Sequence, residues 1–300
     1  RDAAMHEVFQ RSGVNLDCQS YQPVHHYING VYKGVLNLRE PNNRDYAYAN
    51  YGIGDDNMDM FKVDHNYGDT GHGYGYAQIT GTGDAWDELL ELSWNAADED
   101  SYNRICQLLD IGEFANYMAA EFILYNSDWP RNNVKAFRRR PDGRFRFILF
   151  DIDNILGYGA DSSISDPFAA FDAEEYRSVI VTLFHNLLAN DTFNKLFVDS
   201  YCILIGSVFQ PDHFGPIINE LGARAKREMS FNNESPQSDI NMLLERINES
   251  LLSTRIYQLK SWGYTNTLSS MVTKNLSANL PQATLEINGI PVPTGKFKGV

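Results

Sequence analysis

The stretch from Phe122 to Gly157, FILYNSDWPRNNVKAFRRRPDGRFRFILFDIDNILG, constrains this chain more than any other. Asp128 and Asn133 stand five residues apart, just after an apolar helical run. Asp151 and Asp153 then close a very apolar segment, Phe145 to Phe150. Between the pairs, Pro141-Asp142-Gly143 is a turn signal flanked by Val134–Arg138 and Arg144–Phe150, which predicts a β-hairpin. Residues two apart on a strand share a face, so Asp151 and Asp153 would aim at one ion if the strand continued through them.

Carboxylates about 5 Å apart repel by roughly 3 kcal/mol per pair at an effective dielectric near 20. A cation relieves that repulsion, and hard oxygen ligands select Mg²⁺, Mn²⁺ or Ca²⁺. Protein kinases use such parts in this order: a catalytic-loop Asp that receives the substrate proton, an Asn five residues later on metal, and a later strand-end Asp on metal. Asp128, Asn133 and Asp151 follow that order and the first spacing. The residues by themselves equally allow a helix-capping Asp, a turn Asn and surface carboxylates. Carboxylates alone also allow metal-dependent hydrolysis of a phosphoester.

The rest of the chain narrows the class. Three hundred residues suffice for one large domain or two smaller ones. With 25 Lys and Arg against 39 Asp and Glu, the net charge is −14, which argues against a nucleic-acid surface. Cys18, Cys106 and Cys202 are too few and too far apart for a disulfide framework or a metal motif. No apolar run approaches the roughly 18 residues of a membrane span. Sequons at Asn190, Asn233, Asn248 and Asn275 matter only in a secreting eukaryote.

In chain order, Arg1 to Ser12 reads as an amphipathic helix stopped by Gly13. Glu7 within it is a candidate partner of a nucleotide-binding Lys, or simply a solvated acid. A hairpin turned at Asn29-Gly30 follows, its second strand Val31–Leu38 ending at Arg39-Glu40. His25 and His26, adjacent on a strand, face opposite ways and make a poor metal pair. Asn42 to Gly83 reads as a long irregular insertion, and its GHGYGY at 71–76 lacks the strand–loop–helix context of a phosphate loop. Helices are predicted over Asp84–Asn95, Asp98–Leu109 and Phe114–Leu124, and then over Glu174–Asn190, Thr192–Phe209, Pro211–Met229 and Ser238–Trp262, after a loop from Gly157 to Asp172. Both termini fall inside elements, so the chain is expected to be a piece of a longer protein.

Taken together, RDAAMHEVFQRSG, YINGVYKGVLNLRE, LLDIGEFANYMAAEFILYNSDWPRNN, FRFILFDIDNILG, LLANDTFNKLFVDSY and IYQLKSWGY resemble the CotH family of secreted or spore-coat-associated atypical kinases. The most specific segments are NSDWPRNN and FDIDN. The resemblance implies an α+β, atypical protein-kinase-like fold with a partial N-terminal β-lobe and a helical C-lobe over residues 1–281, and the stub of a C-terminal β-module over 282–300. It implies an enzyme that transfers phosphate from ATP, with Mg²⁺ or Mn²⁺, to Ser or Thr of a surface or coat protein, outside the cell. The alternative is an inactive cell-surface module that kept the fold. Carried over by position, Asp128 is the catalytic carboxylate with Asn133 as its helper and a metal ligand. Asp151 binds metal and nucleotide, Asp153 is a second or outer carboxylate, and Glu40 falls at the hinge to the base. The family's phosphate-contacting Lys is expected upstream of Arg1, and Lys33 and Lys62 are poor substitutes for it. Asn154-Ile155 replaces the usual small or hydroxyl residues after the second Asp.

Overall fold

In the computed structural model the described residues are 1–63, 76–157, 165–174, 178–230, 235–264, 272–280, 283–292 and 295–299. The chain enters through α1 (Asp2–Ser12), which buries Met5, Val8 and Phe9 and stops where Gly13 takes a left-handed φ of 68°. After a short β1 (Asp17–Cys18) comes the expected hairpin, β2 (Tyr21–Ile28) and β3 (Val31–Arg39). Its turn has positive φ at both Asn29 and Gly30, the geometry that matches strand twist.

The segment expected to be irregular, from Asn42 to Gly83, is instead partly regular. It holds α2 (Arg44–Tyr51), β4 (Met58–Val63) and β5 (Tyr76–Thr80). In β4 five of six residues are buried, so the strand sits inside the sheet and lacks the alternation that would betray it in sequence. Of the GHGYGY motif, residues 71–75 lie outside the described residues.

Next come α3 (Asp84–Ser93), α4 (Glu99–Leu108) and α5 (Ile111–Leu124). Asp98 and Asp110 cap the last two by accepting from the Ser101 and Glu113 N–H groups. From Glu113 to Leu124 every residue of α5 is buried, which makes it the spine of the molecule. The central hairpin forms as predicted, from β6 (Val134–Arg139) and a shorter β7 (Arg146–Leu149). Together they build a sheet of order β1-β7-β6-β4-β5, in which only β1 and β7 run parallel.

The remainder is largely helical: α6 (Pro167–Asp172), α7 (Val179–Leu188), α8 (Asp191–Ile203) with a π-helical continuation over Leu204–Val208, α9 (Pro211–Met229), α10 (Gln237–Arg246) and α11 (Glu249–Ser261). Two expectations change here. The loop expected to run to Asp172 contains α6, started by Asp166 accepting from the Phe168 N–H. The single helix expected over Ser238–Trp262 is two, because Asn248 turns to accept from the Leu251 N–H and begins a new helix. At the end, β8 (Val272–Leu276) pairs with β11 (Gly295–Gly299), and β9 (Leu285–Ile287) with β10 (Ile290–Val292). Ile290 and Val292 join the main core. The architecture is the expected α+β, kinase-like one.

An aromatic cluster fills the space between α5 and the helices that follow. Phe122 on α5 packs against Phe168, Phe171 and Phe184 with ring centroids 4.5, 4.9 and 5.7 Å away. On the sheet side Tyr117 stacks on Phe147 at 5.1 Å. Both loops that carry the candidate carboxylates leave directly from these packed elements.

Candidate active site

Asp128 and Asn133 lie on the loop from the end of α5 to the start of β6, and Asp151 and Asp153 on the loop that follows β7. The two loops are stitched by hydrogen bonds. The Ser127 N–H donates to the Asn154 carbonyl at 3.1 Å, and the Leu156 N–H to the Leu124 carbonyl at 2.7 Å. The Asn133 amide donates to the Asp151 carbonyl at 3.4 Å, and the Asn154 amide to the Asp128 carboxylate at 3.0 Å. Asn154, which departs from the residue type usual there, is therefore the side chain that fixes Asp128 from the opposite loop.

The strand does not continue through the DID sequence as the face-sharing argument required. β7 ends at Leu149, and Asp151 sits in the left-handed region with φ 54°. Of six non-glycine residues with positive φ among the described residues, four belong to these two loops: Tyr125, Asn133, Asp151 and Leu156. The other two, Asn29 and Asn288, occupy ordinary hairpin turns. Positive φ costs an L-residue free energy, for Leu and Tyr more than for Asn, and it persists only where the surroundings enforce it.

A third element reaches the site. Asp2, in the first turn of α1, accepts from Arg39 Nη1 at 2.5 Å, from His6 Nε2 at 3.0 Å and, more loosely, from the Ile152 N–H at 3.4 Å. The tautomer of His6 follows from its other nitrogen. Nδ1 accepts from the Gln19 N–H at 3.2 Å, so the proton is on Nε2 and points at Asp2. Burial pushes the His6 pKa down, more than Asp2 raises it, so the ring is neutral near pH 7 and Arg39 supplies the positive charge. Burial would raise the Asp2 carboxyl, but His6 and Arg39 outweigh it and hold it down to about 2.

Acidic charge gathers at Asp151. Partial burial first, and then the charges of Asp153, Asp2 and Asp128, push its pKa above its ordinary value, with Arg39 pulling it back. Among the described residues no three His, Cys, Asp or Glu side chains converge as a cation cage. Mg²⁺ rarely uses a cage of that kind; one or two carboxylates, several waters and the substrate phosphates are its usual shell. Oxygen donors crowded enough to raise Asp151 suit such a cation, so the donor chemistry fits.

The other candidates have these partners. Glu40 accepts from the Ser20 N–H at 3.0 Å and from the Asn50 amide at 2.6 Å, and so closes the base of the β2–β3 hairpin. Glu7 pairs with Arg11 at 2.9 Å, and Arg11 in turn reaches Glu220 on α9 at 2.8 Å. His25 contacts Glu228 and Tyr32 at the surface. Lys62 stands opposite Lys135 in the β4–β6 register.

Several residues at the site escape sequence reasoning. Lys135, two residues beyond Asn133, donates to the Asn42 side chain at 2.6 Å and lies 4.8 Å over the Phe150 ring. Burial lowers its pKa, as does Lys62, and Asp151 raises it. Arg255 on α11 is fully buried and donates to the Ile123 carbonyl in the last turn of α5 at 3.2 Å, which supports the end of the helix that launches the Asp128 loop. Nothing local marks Arg255 or Asp2; only an i,i+4 spacing from Asp2 to His6 hints at a pair.

A family model described as CotH kinase protein matches residues 1–266 of the chain. No curated protein matches it.

Proposed function

The chain belongs to the CotH kinase family, and from that premise we propose that it transfers the γ-phosphoryl group of ATP, with Mg²⁺ or Mn²⁺, to a Ser or Thr hydroxyl of a protein acceptor at a cell surface or spore coat. What carries the reading is the Asn154-to-Asp128 bond, because it aims one carboxylate from a loop whose neighbour, Asp151, gathers acidic charge. In this reading Asp128 orients the acceptor hydroxyl and receives its proton on the oxygen that Asn154 leaves open. Asp151, with Asn133 and Asp153, would hold the cation, which when bound neutralises phosphate charge. Positioning and fixed charge account for most of the rate in such transfers. Asn133, itself oriented by the Asp151 carbonyl, keeps the two loops in register. Among the described residues no helix is long and apolar enough to cross a membrane.

The test separates the two carboxylates. Asp151→Ala is expected to abolish metal-dependent ATP binding, whereas Asp128→Ala keeps most of the affinity and loses transfer, as for a group that acts mainly in the transition state. Calorimetry with Mg-ATP beside a labelled-ATP transfer assay reads both. Equal loss of binding in the two variants refutes the division of roles. Binding without transfer by the full-length protein favours an inactive surface module.

A further inference from the structure

A cavity of about 280 Å³ lies between α1, the β2–β3 hairpin, α9 and α10, and no residue of the two carboxylate loops lines it. Small side chains leave the room: Ala3 and Ala4 on α1, Gly222 and Ala225 on α9, with Ile218 and Leu221 adding apolar wall. An apolar cavity of about 150 Å³ already takes up benzene, so this one has space for a ring and a short chain. Four charged side chains also line it, and three are committed. Arg1 pairs with Asp239 at 3.5 Å, and Glu228 with His25 at 3.1 Å and Arg227 at 3.2 Å. The fourth, Arg224, is exposed on α9 and has no ion pair or hydrogen bond among the described residues. Glu220, one turn before it, is held by both terminal nitrogens of Arg11 instead. The Tyr21 hydroxyl also lacks a hydrogen-bond partner among the described residues. Burial first pushes its pKa up and Arg224 pulls it back, which sets the two polar ends near each other.

We propose that this cavity binds a small arylalkanoic acid, its ring between α1 and α9 and its carboxylate on Arg224 and Tyr21, and that occupancy acts on the Asp151 loop. The site stands on its own residues, whereas its effect on nucleotide binding rests on the kinase reading above. Complementarity selects the class. A guanidinium and a phenol hydroxyl both donate to a carboxylate, and the apolar walls take the ring. An organic cation would face Arg224, a plain hydrocarbon would leave both donors unpaired, and inorganic phosphate would leave the apolar walls unfilled. Register carries the effect. Tyr21 stands opposite Arg39 and Pro23 opposite Asn37, and Val35, Asn37 and Arg39 alternate along β3, so all five share a face. Four of them line the cavity. The fifth, Arg39, holds Asp2 at 2.5 Å, and the same carboxylate accepts from the Ile152 N–H at 3.4 Å. Asp2 itself lies between Arg1 and Ala3, which both line the cavity. A ring wedged between α1 and this sheet face therefore fixes the spacing of Asp2 and Arg39, and with it the loop that carries Asp151.

Calorimetry on the whole chain with 3-phenylpropionate is expected to show saturable binding, and 2-phenylethylamine and propionate at equal concentration should show none. Arg224→Gln, a surface change, should weaken binding about tenfold. Ala225→Phe, which sets a ring in the cavity, should abolish it with the melting temperature kept. With phenylpropionate saturating, Mg-ATP should bind about fivefold tighter, and Asp2→Asn should erase that gain while leaving the affinity for the acid in place. No saturable binding, equal binding of phenylethylamine, or unchanged affinity in both cavity variants overturns the site. A tetrapeptide ending in Phe that binds more tightly than the free acid overturns the assignment to a small molecule. Binding of the acid with no change in Mg-ATP affinity overturns the coupling. If the unaltered chain binds no Mg-ATP with or without the acid, the kinase reading falls, and the site is decided by the phenylpropionate titration and its two variants.

Discussion

The contact most open to a quantitative test is the ion pair between Asp2 and Arg39, which ties α1 and β3 to the loop after β7. The side chains are 26 % and 23 % exposed, so solvent screens the pair only partly. Against the upward push of burial, His6 first and then Arg39 hold the Asp2 carboxyl at about 2 instead of its ordinary 3.8, which corresponds to about 2 kcal/mol of stability at neutral pH shared between the two partners, since each pH unit is worth about 1.4 kcal/mol. A carboxyl depressed in the folded state contributes above its unfolded pKa and loses that contribution as pH falls through the folded one. Asp2→Asn, which does not titrate and sets an amide against the guanidinium, should therefore cost about 2 kcal/mol at pH 7. The gap from the unaltered chain should narrow between pH 4 and pH 2. His6 adds a second slope to both proteins. Its folded pKa lies below the ordinary 6.5, so the unfolded chain takes up the proton first and stability declines as pH drops below that value. Urea denaturation of Asp2→Asn, Arg39→Met and the double variant at pH 7 and pH 3 gives the cycle. A coupling of about 1 kcal/mol is expected at pH 7, with much of it gone at pH 3. Coupling indistinguishable from zero at pH 7, or an Asp2→Asn cost that ignores pH, refutes the assignment.

Two further substitutions probe the elements around the site. Asn154→Ala frees the Asp128 carboxylate without removing it, so kcat should fall about tenfold or more while Mg-ATP affinity, by calorimetry, changes little; an unchanged kcat would mean that Asp128 needs no support from the opposite loop. Glu113 is buried, accepts from the Phe147 N–H at 3.0 Å, and is pushed above the carboxylate range by burial and then by the charge of Asp17. An acid raised in the folded state loses stability as pH climbs above its ordinary 4.5. Glu113→Gln keeps the acceptor, and should gain melting temperature relative to the unaltered chain from pH 5 to pH 8; a constant or shrinking difference would argue that Glu113 is ionised in place.

How much of this was legible beforehand depends on how local each signal is. The hairpin at Pro141-Asp142-Gly143, the one at Asn29-Gly30 and the helix over Pro211–Met229 are specified by residues inside them, and they appear where the turn residues and a helix-starting proline put them. β4 was missed because a strand buried on both faces has no period, and its partners β5 and β6 are distant in sequence or beyond an intervening segment. The break before α11 was missed because Asn248 reads as a helix-compatible residue until its side chain is seen turned onto Leu251. At the site, the spacing from Asp128 to Asn133 and the DID sequence identified the loops, but not how they meet. The argument that Asp151 and Asp153 share a strand face assumed extended backbone, whereas Asp151 is left-handed. Asp2, Lys135 and Arg255 carry little sequence signature because their roles are set largely by residues from 37 to more than 100 positions away.

The four left-handed residues explain why such remote groups are needed. Tyr125 and Leu156 have bulky side chains, and each sits at the start or end of a loop where an extended or helical backbone would cost less. A conformation of this kind costs of order 1–3 kcal/mol per residue, so left alone the two loops would relax and carry Asp128 and Asp151 apart. The Leu156 N–H to the Leu124 carbonyl, the Asn133 amide to the Asp151 carbonyl, and the Ser127 N–H to the Asn154 carbonyl each join one strained loop to the other or to the end of α5. Arg255 holds that helix end from behind through the Ile123 carbonyl, and Asp2 holds the far loop through the Ile152 N–H. Because the strain and its restraints belong to different elements, neither loop can reach this geometry until α1, α5, α11 and the central hairpin have packed. The site is therefore a product of the tertiary fold, and its carboxylates are set before any substrate arrives.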